Sequence, residues 1–213
     1  MSVQPSPQAP PIVNARVAAA ADRLATRFRA AAPFPHVVID GFLEPALCRR
    51  LVETFPAYDG ERFRNAWGEF GKAWREDVSR LGEAWSELDR GLRSRGFLDL
   101  LSRISGIPRL LFDPTYFGGG THENLHDMEL DPHIDFNLHP QTQLHRRLNL
   151  LLYLNEEWDE AWGGSLELHT DPWRPPQENR VTTIPPLANR CVIFETSDRS
   201  WHGFRRIVLP EDR

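Results

Sequence analysis

Cysteine is scarce in this chain: Cys48 and Cys191 are the only two in 213 residues. They are too few and too far apart for a disulfide framework or a structural zinc site, so both read as buried thiols in a reducing compartment. Lysine is almost missing, since Lys72 stands alone among the 25 basic residues, and arginine is left to partner any carboxylate. No basic block of the kind that tracks a phosphate backbone occurs, and the net charge is −5. Nucleic acid is therefore not expected as a direct partner. No apolar run reaches the ~20 residues a membrane span requires, and "MSVQPSPQAPPIV" has no basic start followed by an apolar core. The expected setting is cytoplasmic, without a membrane partner, and the oligomeric state stays open between monomer and homodimer.

What is present suits one soluble domain. Hydrophobic residues make up 40% and charged residues 26%, ordinary values for a globular chain that can bury a core without staples. Residues 1–13 are proline-dense and read as a disordered tail, followed by a single domain over 14–213. Asn14 is placed to cap a helix running to Ala32, with Val17, Leu24 and Phe28 on its apolar face. "HVVID" at 36–40 reads as a strand. "FLEPALCRRLVETFP" reads as a helix with Pro45 in its first turn and Leu47, Leu51 and Val52 inward. Residues 57–75 show no periodicity. Helical spacing returns through Val78, Leu81, Trp85 and Leu88, then through Phe97, Leu100, Leu101 and Ile104.

The character changes near Ile107. Short apolar segments, "RLLFDPTYF", "LHDMELDPHIDF", "RLNLLLYLN", "GSLELHT", "RVTTIPP", "RCVIFE" and "RRIVL", are separated by Gly, Pro, Asn and Asp. The expectation is a helical support over 14–106 packed on a β sandwich or barrel over 107–213.

Within "ELDPHIDFNLHP", strand alternation puts Met128, Leu130, Ile134 and Phe136 on one side. Glu129, Asp131, His133 and Asp135 fall on the other. A His and an Asp two apart on one face can converge on a cation, although such pairs are more often merely solvated. A third donor changes the balance: "SDRSWHGF" carries His202 far along the chain at the mouth of a later strand. Two histidines and one carboxylate form the facial set of non-haem Fe(II) oxygenases, which leaves coordination positions open for co-substrate and oxygen.

"HID" at 133–135, "RRLNLLLYLNEEW" at 146–158, "GGSLELH" at 163–169 and "RCVIFETSDRSWHGF" at 190–204 occur in an order and at a spacing that resemble the prolyl-hydroxylase-type branch of the 2-oxoglutarate and Fe(II)-dependent dioxygenases. The upstream "PFPHVVIDGFLEPALCRRLVETFP" is similar to the opening strand and helix of bacterial members. The resemblance covers about 110–213. It implies a mainly β fold with N-terminal helices: a double-stranded β-helix, the cupin-like jelly roll, with helices on its major sheet. It also implies iron held by His133, Asp135 and His202, with 2-oxoglutarate and O2 as co-substrates and ascorbate as an accessory reductant. Tyr153 then donates to the inner carboxylate of 2-oxoglutarate, and Asn149 lines the same pocket. The family anchors that carboxylate with a basic residue beyond the second histidine; Arg213 is the candidate, since Arg205 and Arg206 fall too close to the metal end, and the jelly roll is expected to lack its last strand. The implied reaction is hydroxylation of an unactivated C–H bond in a prolyl residue, a free amino acid or a small natural product, with decarboxylation to succinate and CO2.

The alternative is a non-catalytic metal- or ligand-binding jelly roll that has lost 2-oxoglutarate turnover. A metallohydrolase is a poorer third reading, because no His-Glu-x-x-His motif accompanies the ligands. The glycine run in "YFGGGTHENLHD" reads first as a flexible turn, and in the lesser reading as a loop that closes over the site with His122 or His126 beside substrate. His139, His145 and His169 are expected to be surface or core; Trp201 reads first as core and, since it abuts His202, alternatively as a wall of the substrate chamber.

Overall fold

The computed structural model describes residues 12–57 and 73–211. Two helices come first, α1 (Ala15–Ala19) and α2 (Ala21–Ala30). Asn14 caps α1 through its side chain, which accepts from the Arg16 amide at 3.0 Å. The single helix expected over 14–32 is thus split at Ala20, whose amide is shared between the Arg16 and Val17 carbonyls. The tail expected over 1–13 lies outside the described residues except at Ile12 and Val13, and these two are buried. Val13 bridges Leu43, and the Ile12 carbonyl accepts from the Glu44 amide. Two apolar side chains at the end of a proline-rich stretch gain more from burial than their ordering costs.

Strand β1 (His36–Asp40) and helix α3 (Pro45–Glu53) follow as expected, except that Cys48 rather than Val52 is the third inward residue. After β2 (Ala73–Arg75) come α4 (Glu83–Leu92) and α5 (Arg95–Ser105). Ser94 caps α5 by accepting from the Phe97 amide, and Gly106 ends it in the left-handed conformation, the usual device for closing a helix.

The remaining strands are β3 (Thr121–Glu123), β4 (Leu130–His133), β5 (Leu148–Tyr153), β6 (Leu166–His169), β7 (Val181–Ile184), β8 (Arg190–Glu195) and β9 (Trp201–Phe204). They form a three-stranded sheet in the order β1-β8-β5, a four-stranded sheet in the order β4-β9-β6-β7, and the small pair β2-β3. All pairings are antiparallel. Period-two alternation sorts the central strand β8 between two cores. Cys191 and Ile193 pack with Leu24, Phe28, Leu51, Trp85 and Ile104 under the helices. Val192 and Phe194 face the second sheet and meet Leu166, Leu168 and Ile184. The helices therefore cover one side of the larger-cored sheet and the two sheets close on each other, the double-stranded β-helix arrangement.

Two expected strands do not form. In "RLLFDPTYF" the Asp113 carboxylate accepts from the Thr115 and Phe117 amides, an Asx-type turn, and Arg109 and Tyr116 have positive φ. "RRIVL" runs beside Met128 through single hydrogen bonds, Ile207 N–H to the Met128 carbonyl and Asp127 N–H to the Ile207 carbonyl, and then meets Pro210. Proline cannot continue a ladder.

Candidate metal centre

Register brings the two histidines together. His133 on β4 and His202 on β9 are direct cross-strand partners, and their ring centroids lie 4.4 Å apart. Asp135 joins them from the loop beyond β4, not from the strand itself. Its Oδ1 is 3.9 Å from His133 Nε2 and its Oδ2 is 3.5 Å from His202 Nε2. One donor atom from each of the three residues falls within a 4.8 Å cluster, the only such cluster among the described residues.

The backbone sets the tautomers. His133 Nδ1 lies 2.9 Å from the Asp131 carbonyl, and His202 Nδ1 lies 2.9 Å from the Ser200 carbonyl. A carbonyl only accepts, so each Nδ1 carries the proton and each Nε2 turns a lone pair toward the shared point. Burial also holds the His202 ring below its usual range, favouring the neutral form that a cation needs. Two imidazoles and a carboxylate make a mixed N,O set of intermediate softness, which suits Fe(II).

The even alternation expected over 128–136 does not hold. Met128 is buried, while Leu130 and Ile134 are exposed, because the β4–β9 register shifts between Leu130 and His133. Pro132 interrupts the ladder there, and such an irregularity re-aims the side chains that follow it. Glu129 faces outward and pairs with Arg206.

On β5, Asn149, Leu151 and Tyr153 share the face toward the inter-sheet core, as the sequence indicates; Leu151 and Tyr153 pack on its apolar cluster. Burial pushes the Tyr153 hydroxyl well above its usual pKa, so it stays a donor. Asn149 is buried and bonds to the Asp135 carboxylate and to Arg146. Arg146 was not foreseen. Its signal is an arginine, the first of the pair Arg146–Arg147, three residues before the only polar member of a leucine run. Arg205 pairs with Glu167 at 2.7 Å and Arg206 with Glu129 at 2.7 Å, while Arg213 lies outside the described residues. Trp201 is not a chamber wall: it is the partner of His169 across β6–β9, on the outer side of the sheet opposite His202, and meets Trp173 at 6.2 Å. His139 and His169 are buried and His145 is exposed. Gly118 lies against Phe136 and Arg146, next to the cluster. His122 sits on β3 facing β2, and His126 accepts from the Leu209 amide.

A double-stranded β-helix with a His–Asp–His cluster formed where β4 meets β9 defines a class of metal-binding jelly rolls. Within that class, residues 120–213 match the family model described as the 2OG-Fe(II) oxygenase superfamily. The superfamily takes its name from Fe(II) and 2-oxoglutarate. The chain is 27% identical over 181 residues to the Mus musculus protein named prolyl 3-hydroxylase OGFOD1, covering 84% of this chain and 31% of that one, so it spans about a third of that relative's length. The same fold occurs in a Trichoplax adhaerens prolyl hydroxylase solved with a peptide fragment of the hypoxia inducible factor oxygen degradation domain (TM-score 0.61, 18% identity, 91% of this chain and 86% of that one). It also occurs in a Pseudomonas putida prolyl-4-hydroxylase (TM-score 0.52, 17% identity, 97% and 90%). No helix among the described residues is long and apolar enough to cross a membrane.

Proposed function

We propose that the protein is a 2-oxoglutarate- and Fe(II)-dependent dioxygenase that hydroxylates an unactivated C–H bond, with a prolyl residue of a peptide as the favoured substrate over a free amino acid or a small natural product. The metal ligands are Nε2 of His133, the carboxylate of Asp135 and Nε2 of His202. The observation that carries this reading is the shared aim of two imidazoles whose Nδ1 protons are already spent on backbone carbonyls. Peptide prolyl substrates are favoured because the relatives are named as prolyl hydroxylases and one was solved with a peptide fragment.

When bound there, Fe(II) supplies oxygen activation coupled to decarboxylation of 2-oxoglutarate to succinate and CO2. The chain's own contribution is position and dryness. Tyr153, four residues along β5 from Asn149, offers its hydroxyl to the far carboxylate of the co-substrate. Leu151, Leu168, Val192 and Phe194 keep water out of the space between. No side chain needs to act as an acid or base.

The test is an anaerobic titration with Fe(II) and 2-oxoglutarate, followed by the visible charge-transfer absorbance of the chelate, then succinate release with proline-containing peptides. His202→Ala is expected to abolish both signals. Absence of the absorbance in the wild-type protein would sink the enzyme reading. A non-catalytic jelly roll gains weight from one observation: Arg205 and Arg206, the described basic residues after His202, are engaged with Glu167 and Glu129. Metal binding without absorbance from 2-oxoglutarate would favour it.

A further inference from the structure

The backbone fixes both histidines of the cluster but not Asp135, which lies past the end of β4. Its carboxylate is held from β5. Asn149 Nδ2 donates to Asp135 Oδ2, while Asn149 Oδ1 accepts from Arg146 at both Nε, 3.1 Å away, and a terminal guanidinium nitrogen. The carboxylate only accepts and the guanidinium only donates, so a single orientation of the amide satisfies both neighbours.

Arg146 is itself pinned. Its guanidinium lies 4.6 Å from the Phe136 ring centroid and 3.5 Å from Asp135 Oδ2, with the side chain only 18% exposed. Its backbone N–H donates to the Asn137 carbonyl and its carbonyl accepts from Thr196 Oγ1. Asn149 is the one polar side chain in "LNLLLY" before the tyrosine, and it is 8% exposed. A leucine there would match its neighbours, and burying an amide costs free energy unless both ends are paired. The arrangement serves the carboxylate.

We infer that Arg146 and Asn149 are a positioning pair: Arg146 orients the Asn149 amide, and Asn149 fixes the rotation of the Asp135 carboxylate for the cation held by the cluster. This rests on the metal reading above. It treats Asn149 as a partner of a ligand, not as a contact of 2-oxoglutarate.

The test uses Co(II) as the probe, titrated into the full chain stripped of metal, with visible ligand-field absorbance as the signal and circular-dichroism melting as the control for folding. Asn149→Leu is expected to melt cooperatively, to bind Co(II) ~10–100-fold more weakly and to show a changed absorbance. Adding Arg146→Met to Asn149→Leu is expected to cost less than ~3-fold further, since the two act as one unit. Arg146→Met alone is expected to weaken Co(II) about 10-fold, and it decides the matter if Asn149→Leu does not fold. Wild-type affinity and absorbance in whichever variant folds would overturn the inference, as would additive losses. Failure of the wild-type protein to bind Co(II) would instead remove the metal reading on which it stands.

Discussion

The α-carbon of Gly203 faces the Leu130 carbonyl oxygen so closely that a Cβ built there would lie 2.4 Å from it, and 3.0 Å from the backbone of Asp131 and Pro132. The residue after His202 must therefore lack a side chain for the irregular end of β4 to settle onto β9. Gly203→Ala is expected to push β4 outward and carry His133 away from His202. Metal affinity, read by Co(II) titration, should fall about 10-fold or more, while stability drops by only about 1–3 kcal/mol. Unchanged affinity in the folded variant would show that β4 can yield without moving the imidazole.

Tyr153→Phe removes one hydroxyl, on a half-buried side chain, that has no hydrogen bond to a described residue. Melting should shift by the equivalent of less than about 1 kcal/mol, because no intramolecular bond is lost. Binding of 2-oxoglutarate to the metal-loaded protein should weaken about 10-fold, the worth of one hydrogen bond to a charged group. An unchanged 2-oxoglutarate titration would take Tyr153 out of the co-substrate pocket.

The helices, β1, β5 and β8 were legible because each carries its own period: Leu24 and Phe28 for α2, Asn149, Leu151 and Tyr153 for β5. The His–Asp–His set was legible as residue types, but not the way they meet. His133 and His202 face each other through a cross-strand register, which no local pattern encodes, and Asp135 arrives from a loop shaped by Pro132. Trp201 misled because sequence neighbours on a strand point to opposite faces, and its nearness to His202 in the chain separates the two in space. Arg146 escaped because its role appears only when Asp135, Asn149 and Phe136 are seen around it. Two stretches read as strands, at 109–117 and 205–209, are apolar enough for β structure. Asx turns, positive φ and proline decide otherwise.

His36 sits buried on β1 beside Phe34, and burial holds its imidazole below the ordinary 6.5 even though its Nδ1 reaches the Phe34 carbonyl. The folded state therefore resists a proton that the unfolded chain accepts. Stability from this group is complete above about pH 6.5 and declines as pH falls below it, since there the unfolded chain binds more protons. His36→Phe, which keeps an aromatic ring against Phe34, is expected to reduce the drop in Tm between about pH 7.5 and about pH 5.5. An identical slope in the variant would assign the acid sensitivity to other groups, such as His169, which burial shifts in the same direction.

Asp89 on α4 holds the loop that leads toward the metal cluster. Its carboxylate accepts from Arg93 at 2.8 and 2.9 Å and from the Tyr116 hydroxyl at 2.8 Å. Its side chain is 7% exposed against 40% for Arg93. The burial is unequal, so the cost of removal should be unequal too. Asp89→Ala strands a buried hydroxyl and a guanidinium at once and is expected to cost about 2–3 kcal/mol in chemical denaturation, whereas Tyr116→Phe loses one bond and about 1 kcal/mol. Tyr116 is followed by Phe117, whose ring lies 5.2 Å from that of Phe136, and Phe136 carries the guanidinium of Arg146. Faster amide exchange over 113–120 should therefore accompany Asp89→Ala, and with it a weaker hold on the loop beside the ligands. If Tyr116→Phe costs as much as Asp89→Ala, the hydroxyl and not the carboxylate anchors that loop.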